Sequence, residues 1–297
     1  MSSDDESGFV ARTVTTPDGL MLYARDYGRG GSSVSAPPPV ICLPGLTRNS
    51  RDFHQLALLL SRDPIAPRRV ITLDARGRGL SAWDDDKSHY TLAVEAQDVL
   101  AMCAALDISE AVFIGTSRGG LVLHLLAASH PEFLKAVILN DIGPVLEKEG
   151  LGDIRDYLNR DRKPADWSEA VDILRENHGR AFTALSEEDW RDMARAIYTV
   201  KDGKIVADYD PAIAAQMQAL DLEAPIPDLW TQFEAFRDIP LMVIRGENSR
   251  LLAIATVKEM ARRHLGATTK TALGQGHAPI LHLGDIPAAI GDFLAAT

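Results

Sequence analysis

The chain has 297 residues, 46% of them hydrophobic and 25% charged, and a formal net charge of −11. That length and balance are enough to bury a full core, and they exclude a disordered chain or a coiled coil. The acidic excess repels phosphate backbones and anionic lipid, so neither nucleic acid nor a membrane is expected as a partner and a small molecule is. The start, Met1-Ser2-Ser3-Asp4-Asp5-Glu6, lacks the basic and apolar regions of a secretory signal. No apolar run is long enough to span a bilayer, so the expected location is cytoplasmic. Cys42 and Cys103 sit in apolar surroundings without CxxC or histidine-rich neighbours and read as buried small hydrophobes.

In chain order, short β-branched runs alternate with helix-length amphipathic stretches, which predicts an α/β fold with parallel strands joined by crossover helices. Segments 9–14 and 20–27 flank Pro17-Asp18-Gly19 and predict an opening antiparallel hairpin. Residues 30–36, followed by Pro37-Pro38-Pro39, read as a stiffened loop. Parallel strands are predicted at 39–43, 69–73, 111–115, 135–139, 240–244 and 268–272, with helices at 92–105, 118–129, 253–264 and 286–295.

Roughly a hundred residues separate the fourth of these parallel strands from the fifth, far too many for a structureless loop. Helices are predicted there at 151–160, 168–177, 187–198 and 211–217, with Ser168 and Ser186 as N-caps. An all-helical insertion into an α/β sheet reads as a cap over the carboxyl ends of the strands, where open sheets bind ligands. The expected organisation is a core of residues 1–142 and 238–297 and a helical cap of residues 143–237, inserted after the sixth core strand when the hairpin is counted. Trp167, Trp190, Trp230 and Phe233 are expected to pack the cap rather than line a pocket.

Gly115-Thr116-Ser117-Arg118-Gly119 follows a predicted strand and opens a predicted helix, the context that a G-x-S-x-G nucleophile elbow requires. Glycines flank such a turn because the backbone is strained and the helix approaches closely. Ser117 is then presented beside the helix amino end, where unpaired amides favour an oxyanion, and the Arg118 amide is one donor. The competing reading is a glycine-rich turn with a capping serine.

These residues make the sequence similar to the α/β-hydrolase family over almost its whole length, in particular to its capped serine esterase and carbon-carbon-bond hydrolase branch. In that family the loop after the third strand, usually His-Gly-X, gives the second oxyanion amide. The matching stretch here is Leu43-Pro44-Gly45-Leu46, which implies Leu46 as the donor. Asp74-Ala75-Arg76-Gly77-Arg78-Gly79-Leu80-Ser81 resembles the family's D-x-R-G-x-G-x-S loop and reads as scaffold. His277, in Gly274-Gln275-Gly276-His277-Ala278-Pro279 after the last predicted strand, fits the base that a serine needs.

The acid departs from the family pattern. Gly-Glu-X-Ser-Asp is implied after the strand at 240–244, but the chain reads Gly246-Glu247-Asn248-Ser249-Arg250. Three readings follow: Asp141 at the preceding strand end, which is favoured; Glu247 turned inward; or no acid. Arg250 itself points to solvent, pairs with a cap carboxylate or grips an anionic substrate, the first being the default.

The expected activity is a serine hydrolase that cleaves a carboxylic ester or related acyl bond of a small, mostly apolar substrate through an acyl-enzyme. Ser117, His277 and Asp141 form its expected triad, and Leu46 and Arg118 its oxyanion hole. No metal or organic cofactor is implied, and the oligomeric state is left open. The alternatives are a catalytically weakened hydrolase that binds a small ligand, or a carbon-carbon hydrolase or enol-lactonase.

Overall fold

The computed structural model describes residues 8–28, 37–160 and 162–297. The acidic start and the expected loop at 30–36 lie outside the described residues. β1 (Val10–Thr15) and β2 (Met21–Tyr27) form the opening hairpin. There follow β3 (Val40–Leu43), α1 (His54–Ser61), β4 (Val70–Asp74), α2 (Leu92–Ala105), β5 (Ala111–Thr116), α3 (Arg118–Ser129) and β6 (Leu134–Asn140). The insertion holds α4 (Lys148–Leu158), α5 (Trp167–His178), α6 (Glu187–Ile197), β7 (Tyr198–Lys201), β8 (Lys204–Ala207) and α7 (Pro211–Gln218). The chain ends through α8 (Trp230–Phe233), β9 (Leu241–Gly246), α9 (Ile254–Arg263), β10 (Thr268–Ala272) and α10 (Ile286–Ala295).

Eight strands form one sheet in the order β1-β2-β4-β3-β5-β6-β9-β10, and the six from β4 to β10 run parallel. Because side chains alternate across a strand, each one feeds two cores. Ile41, Phe113, Val137 and Val243 pack with α2, α3 and α9 on one face. Cys42, Val112, Ile138 and Met242 pack with α1 and α10 on the other. Both cysteines are buried and free. No helix among the described residues is long and apolar enough to cross a membrane.

The insertion differs from the all-helical expectation. Asp202 and Gly203, both at positive φ, turn β7 back onto β8, the Asp-Gly signature of a tight hairpin. The hairpin completes a small core with α5 and α6 in which Leu174, Phe182, Trp190 and Ile197 are buried. Asp166, not Ser168, caps α5, accepting from the amide of Glu169 at 2.9 Å. Ser186 caps α6 in a reciprocal capping box with Asp189. Backbone bonds from Gly79 to Asp208 (2.9 Å) and from Asp210 to Gly77 (2.7 Å) seat the end of the hairpin on the loop after β4.

Strand register positions the site. Leu43 pairs with Gly115, Thr116 with Asn140, and Asn140 with Ile244, so neighbouring strands end at one level. The ladder runs one residue further: the Ser117 amide donates to Asn140 at 3.1 Å and the Asp141 amide to Ile244 at 2.7 Å. The sheet itself therefore sets the spacing of these two side chains.

Candidate active site

Between β5 and α3 the chain turns on Ser117 alone, whose backbone is held at φ 50° and ψ −114°. That region is costly for a residue with a side chain. Close packing holds it: a Cβ on Gly119 would lie 2.3 Å from the Leu43 carbonyl oxygen, and one on Gly115 2.7 Å from Cα of Gly120. Ser117 stands at the N-cap of α3, but its side chain makes no capping bond, against the competing reading of a capping serine. Its hydroxyl lies 2.9 Å from Nε2 of His277.

Nδ1 of His277 lies 2.8 Å from Oδ2 of Asp141. The Asp141 carboxylate is fully buried, and it also accepts from the Gly246 amide (2.8 Å) and the Ser249 hydroxyl (2.6 Å). A carboxylate can only accept, so Nδ1 carries the ring proton and Nε2 accepts from Ser117. The buried Arg245 staples the loop that supplies these donors. Its guanidinium donates to the carbonyls of Leu252, Gly246, Glu247 and Ser249 at 2.7 to 3.1 Å. Sequence reasoning missed Arg245, because an arginine ending a strand reads as a surface residue.

The other acidic candidate turns away, with the Glu247 carboxylate accepting from the Gly274 amide at 2.7 Å. Arg250 does not lie free in solvent as its default had it. It pairs with Asp153 at 2.9 Å and Glu149 at 3.2 Å, both on α4. The helix is close there, since a Cβ on Gly150 would meet the Leu251 backbone at 2.4 Å.

Among the described residues, the backbone amides of Leu46 and Arg118 donate to no backbone carbonyl. Side chains connect these two residues. Nε of Arg78 donates to the Leu46 carbonyl, Arg78 pairs with Glu95 at 3.1 Å, and Glu95 pairs with the Arg118 side chain at 2.8 Å. Asp74 accepts from the Ser50 and Leu80 amides at 2.7 and 2.8 Å, and burial raises its pKa, in keeping with a scaffold loop. Asp18, Asp84 and His89 bring donor atoms within 4.8 Å of one another, but the Arg76 guanidinium already bridges Asp18 and Asp84. Their charge is met by the protein's own cation.

A cavity of about 330 Å³ opens over Ser117 and His277. Core side chains such as Leu46 and Phe53 line it together with Ile154, Tyr157, Phe182 and Met193 from the insertion. The four aromatic residues expected to pack the cap are absent from this lining. Of the four only Trp190 packs the small core of the insertion; Phe233 and Trp230 pack with the main core, the latter under the Arg263 guanidinium at 4.0 Å, and Trp167 is exposed. The expected substrate is mostly apolar, whereas the lining also carries polar and charged side chains, among them Arg48 and His178.

The alpha/beta hydrolase fold family matches residues 38–282, and the chain belongs to that family. It is 31% identical over 286 residues to a 3-hydroxybutyrate-oligomer hydrolase of Cupriavidus necator, covering 94% of each chain. It is 26% identical to a 2-(acetamidomethylene)succinate hydrolase of Mesorhizobium japonicum, with 86% of this chain and 84% of that protein covered. The crystal structure of an α/β hydrolase from Novosphingobium aromaticivorans superposes with a TM-score of 0.88 at 38% identity, covering 98% of this chain and 99% of that one.

Proposed function

We propose that this protein is a serine hydrolase that cleaves carboxylic esters joining short hydroxy acids, through an acyl-enzyme on Ser117. The observation that carries the proposal is the unbroken hydrogen-bonded chain from Ser117 through His277 to Asp141, at 2.9 and 2.8 Å. Ser117 Oγ attacks the ester carbonyl while Nε2 of His277 takes its proton, and the imidazolium so formed is stabilised by the Asp141 carboxylate. The developing oxyanion is held by the amides of Leu46 and Arg118, each such donor contributing about 3 kcal/mol to lowering the barrier. His277 then protonates the departing alcohol, and water, deprotonated by the same nitrogen, releases the acid. The substrate class is supported by the similarity to the 3-hydroxybutyrate-oligomer hydrolase and by a cavity of small-ligand size.

A weakened hydrolase that only binds a ligand loses its motive, because a carboxylate does stand beside His277 and Arg250 is turned to α4. The experiment combines 4-nitrophenyl butyrate turnover with fluorophosphonate labelling. Both are expected in the wild type and neither in Ser117→Ala. Equal turnover by the two proteins would defeat the proposal.

A further inference from the structure

Arg48 lies next to the nucleophile. A Cβ placed on Gly45 would be 3.5 Å from Cγ of Arg48 and 3.7 Å from Cβ of Ser117, so the two side chains flank that glycine. Asp52 engages only one side of the guanidinium, accepting from Nε at 2.7 Å and from Nη2 at 2.6 Å. A guanidinium carries five N–H donors, and this arrangement leaves the end-on edge, both hydrogens of Nη1 and one of Nη2, without an acceptor among the described residues. Asp52 thus orients the fork rather than consuming it.

Two further donors from the insertion share the same cavity wall. The rings of Tyr157, on α4, and His178, which ends α5, are 5.0 Å apart between centroids. Neither side chain has a hydrogen-bond partner among the described residues. Burial, reinforced by the Arg48 charge, lowers the pKa of His178 to about 4. Burial also raises that of Tyr157, against the pull of Arg48. At neutral pH the phenol therefore offers one O–H and the imidazole one N–H, beside a guanidinium edge whose geometry matches a carboxylate. These groups open onto the cavity, where an oxyanion ligand would accept from all three.

We propose that Arg48, Tyr157 and His178 form an anion subsite that takes the free carboxylate of the substrate, so that the enzyme prefers hydroxy-acid esters ending in an uncapped acid. This rests on the ester-hydrolase reading above and adds the end of the substrate that is recognised. A neutral diester of equal length leaves the guanidinium edge unpaired and is selected against.

The test compares the linear dimer 3-hydroxybutyryl-3-hydroxybutyrate with its terminal carboxamide, with 4-nitrophenyl butyrate as an independent measure of ester hydrolysis. Wild-type kcat/KM is expected to favour the acid at least tenfold, chiefly through KM. Arg48→Met should reduce that preference at least tenfold, and Tyr157→Phe threefold or more. Should Arg48→Met not fold, as judged by circular dichroism, the wild-type ratio and Tyr157→Phe decide. Equal use of acid and carboxamide by the wild type, or an unchanged ratio in the variants, overturns the subsite. Turnover of 4-nitrophenyl butyrate with neither dimer cleaved also overturns it while leaving the serine hydrolase standing. Loss of all three activities would instead count against the ester-hydrolase reading itself.

Discussion

Ser249 donates its hydroxyl to Asp141 at 2.6 Å, so the loop after β9 supports a carboxylate that stands at the end of β6. Together with the Gly246 amide it fixes both oxygens of that carboxylate. Asp141→Asn is accordingly expected to lower kcat by about 10³- to 10⁴-fold, because an amide can hold the imidazole in the wrong tautomer. Ser249→Ala, which keeps the acid and removes one support, should cost about tenfold in kcat. Steady-state rates with 4-nitrophenyl butyrate, next to melting curves, check both. Wild-type rates in Asp141→Asn would remove it from the triad.

Arg250→Asp restores the residue that the family pattern places there, yet no gain in rate is expected, since Asp141 already contacts His277. The change sets a third negative charge beside Glu149 and Asp153 in place of their partner. Because this pairing is exposed, the loss of stability should stay within about 1 kcal/mol. A tenfold rise in kcat would show that the chain lacks its acid.

Glu95 connects the two residues whose amides are proposed to hold the oxyanion, through Arg78 to Leu46 and directly to Arg118. Glu95→Gln keeps the shape but leaves two arginines short of a counter-charge. Such a break in a buried pair costs about 3 kcal/mol of stability. It should also lower kcat by ten- to a hundredfold with little change in KM, a split that simple destabilisation would not produce. Urea unfolding and steady-state kinetics on the same preparation separate the two effects.

Acid stability should depend on His124. Nδ1 of this buried imidazole donates to the Gly120 carbonyl at 2.7 Å, Nε2 is buried without a partner among the described residues, and burial lowers the pKa to about 4. The unfolded chain protonates this residue near pH 6.5 whereas the folded one stays neutral down to about pH 4. Its contribution to stability is therefore complete above pH 6.5 and is lost as the pH falls towards 4, up to about 3 kcal/mol. His124→Met should flatten that slope, leaving the part due to His54, His178 and His282, whose pKa values burial lowers in the same direction. Denaturant midpoints between pH 7 and 4.5 measure it. An unchanged slope in His124→Met would refute the assignment.

Much of the fold was legible because period and punctuation agreed locally. α2, α3, α10 and β10 have the bounds expected from the sequence, Thr91 closing the start of α2 with its side chain. The β7–β8 hairpin was missed although Asp202-Gly203 announced it between two β-branched runs. The predicted helices at 187–198 and 211–217 took only Tyr198 from those strands and left the stretch between them unassigned. At the site, Ser117 and His277 were readable because a turn motif and a strand-end loop are local signals. Asp141 emerged only from the arginine at 250, and the bonds that hold it come from more than a hundred residues along the chain. Arg245, Glu95 and Arg48 gave no local signal, since their roles arise from what the fold brings beside them.

The ends of β5 and β6 fix Ser117 and Asp141 to adjacent strands, and the ladder holds both through backbone bonds. Only the imidazole is carried on a loop. Gln275 holds that loop by accepting from the Ile280 amide at 2.7 Å, and Asn140 by donating to the Pro279 carbonyl at 3.0 Å. The site thus has one joint and two anchored posts, so warming should disengage the imidazole before the sheet melts, and inactivation should precede loss of the far-ultraviolet signal.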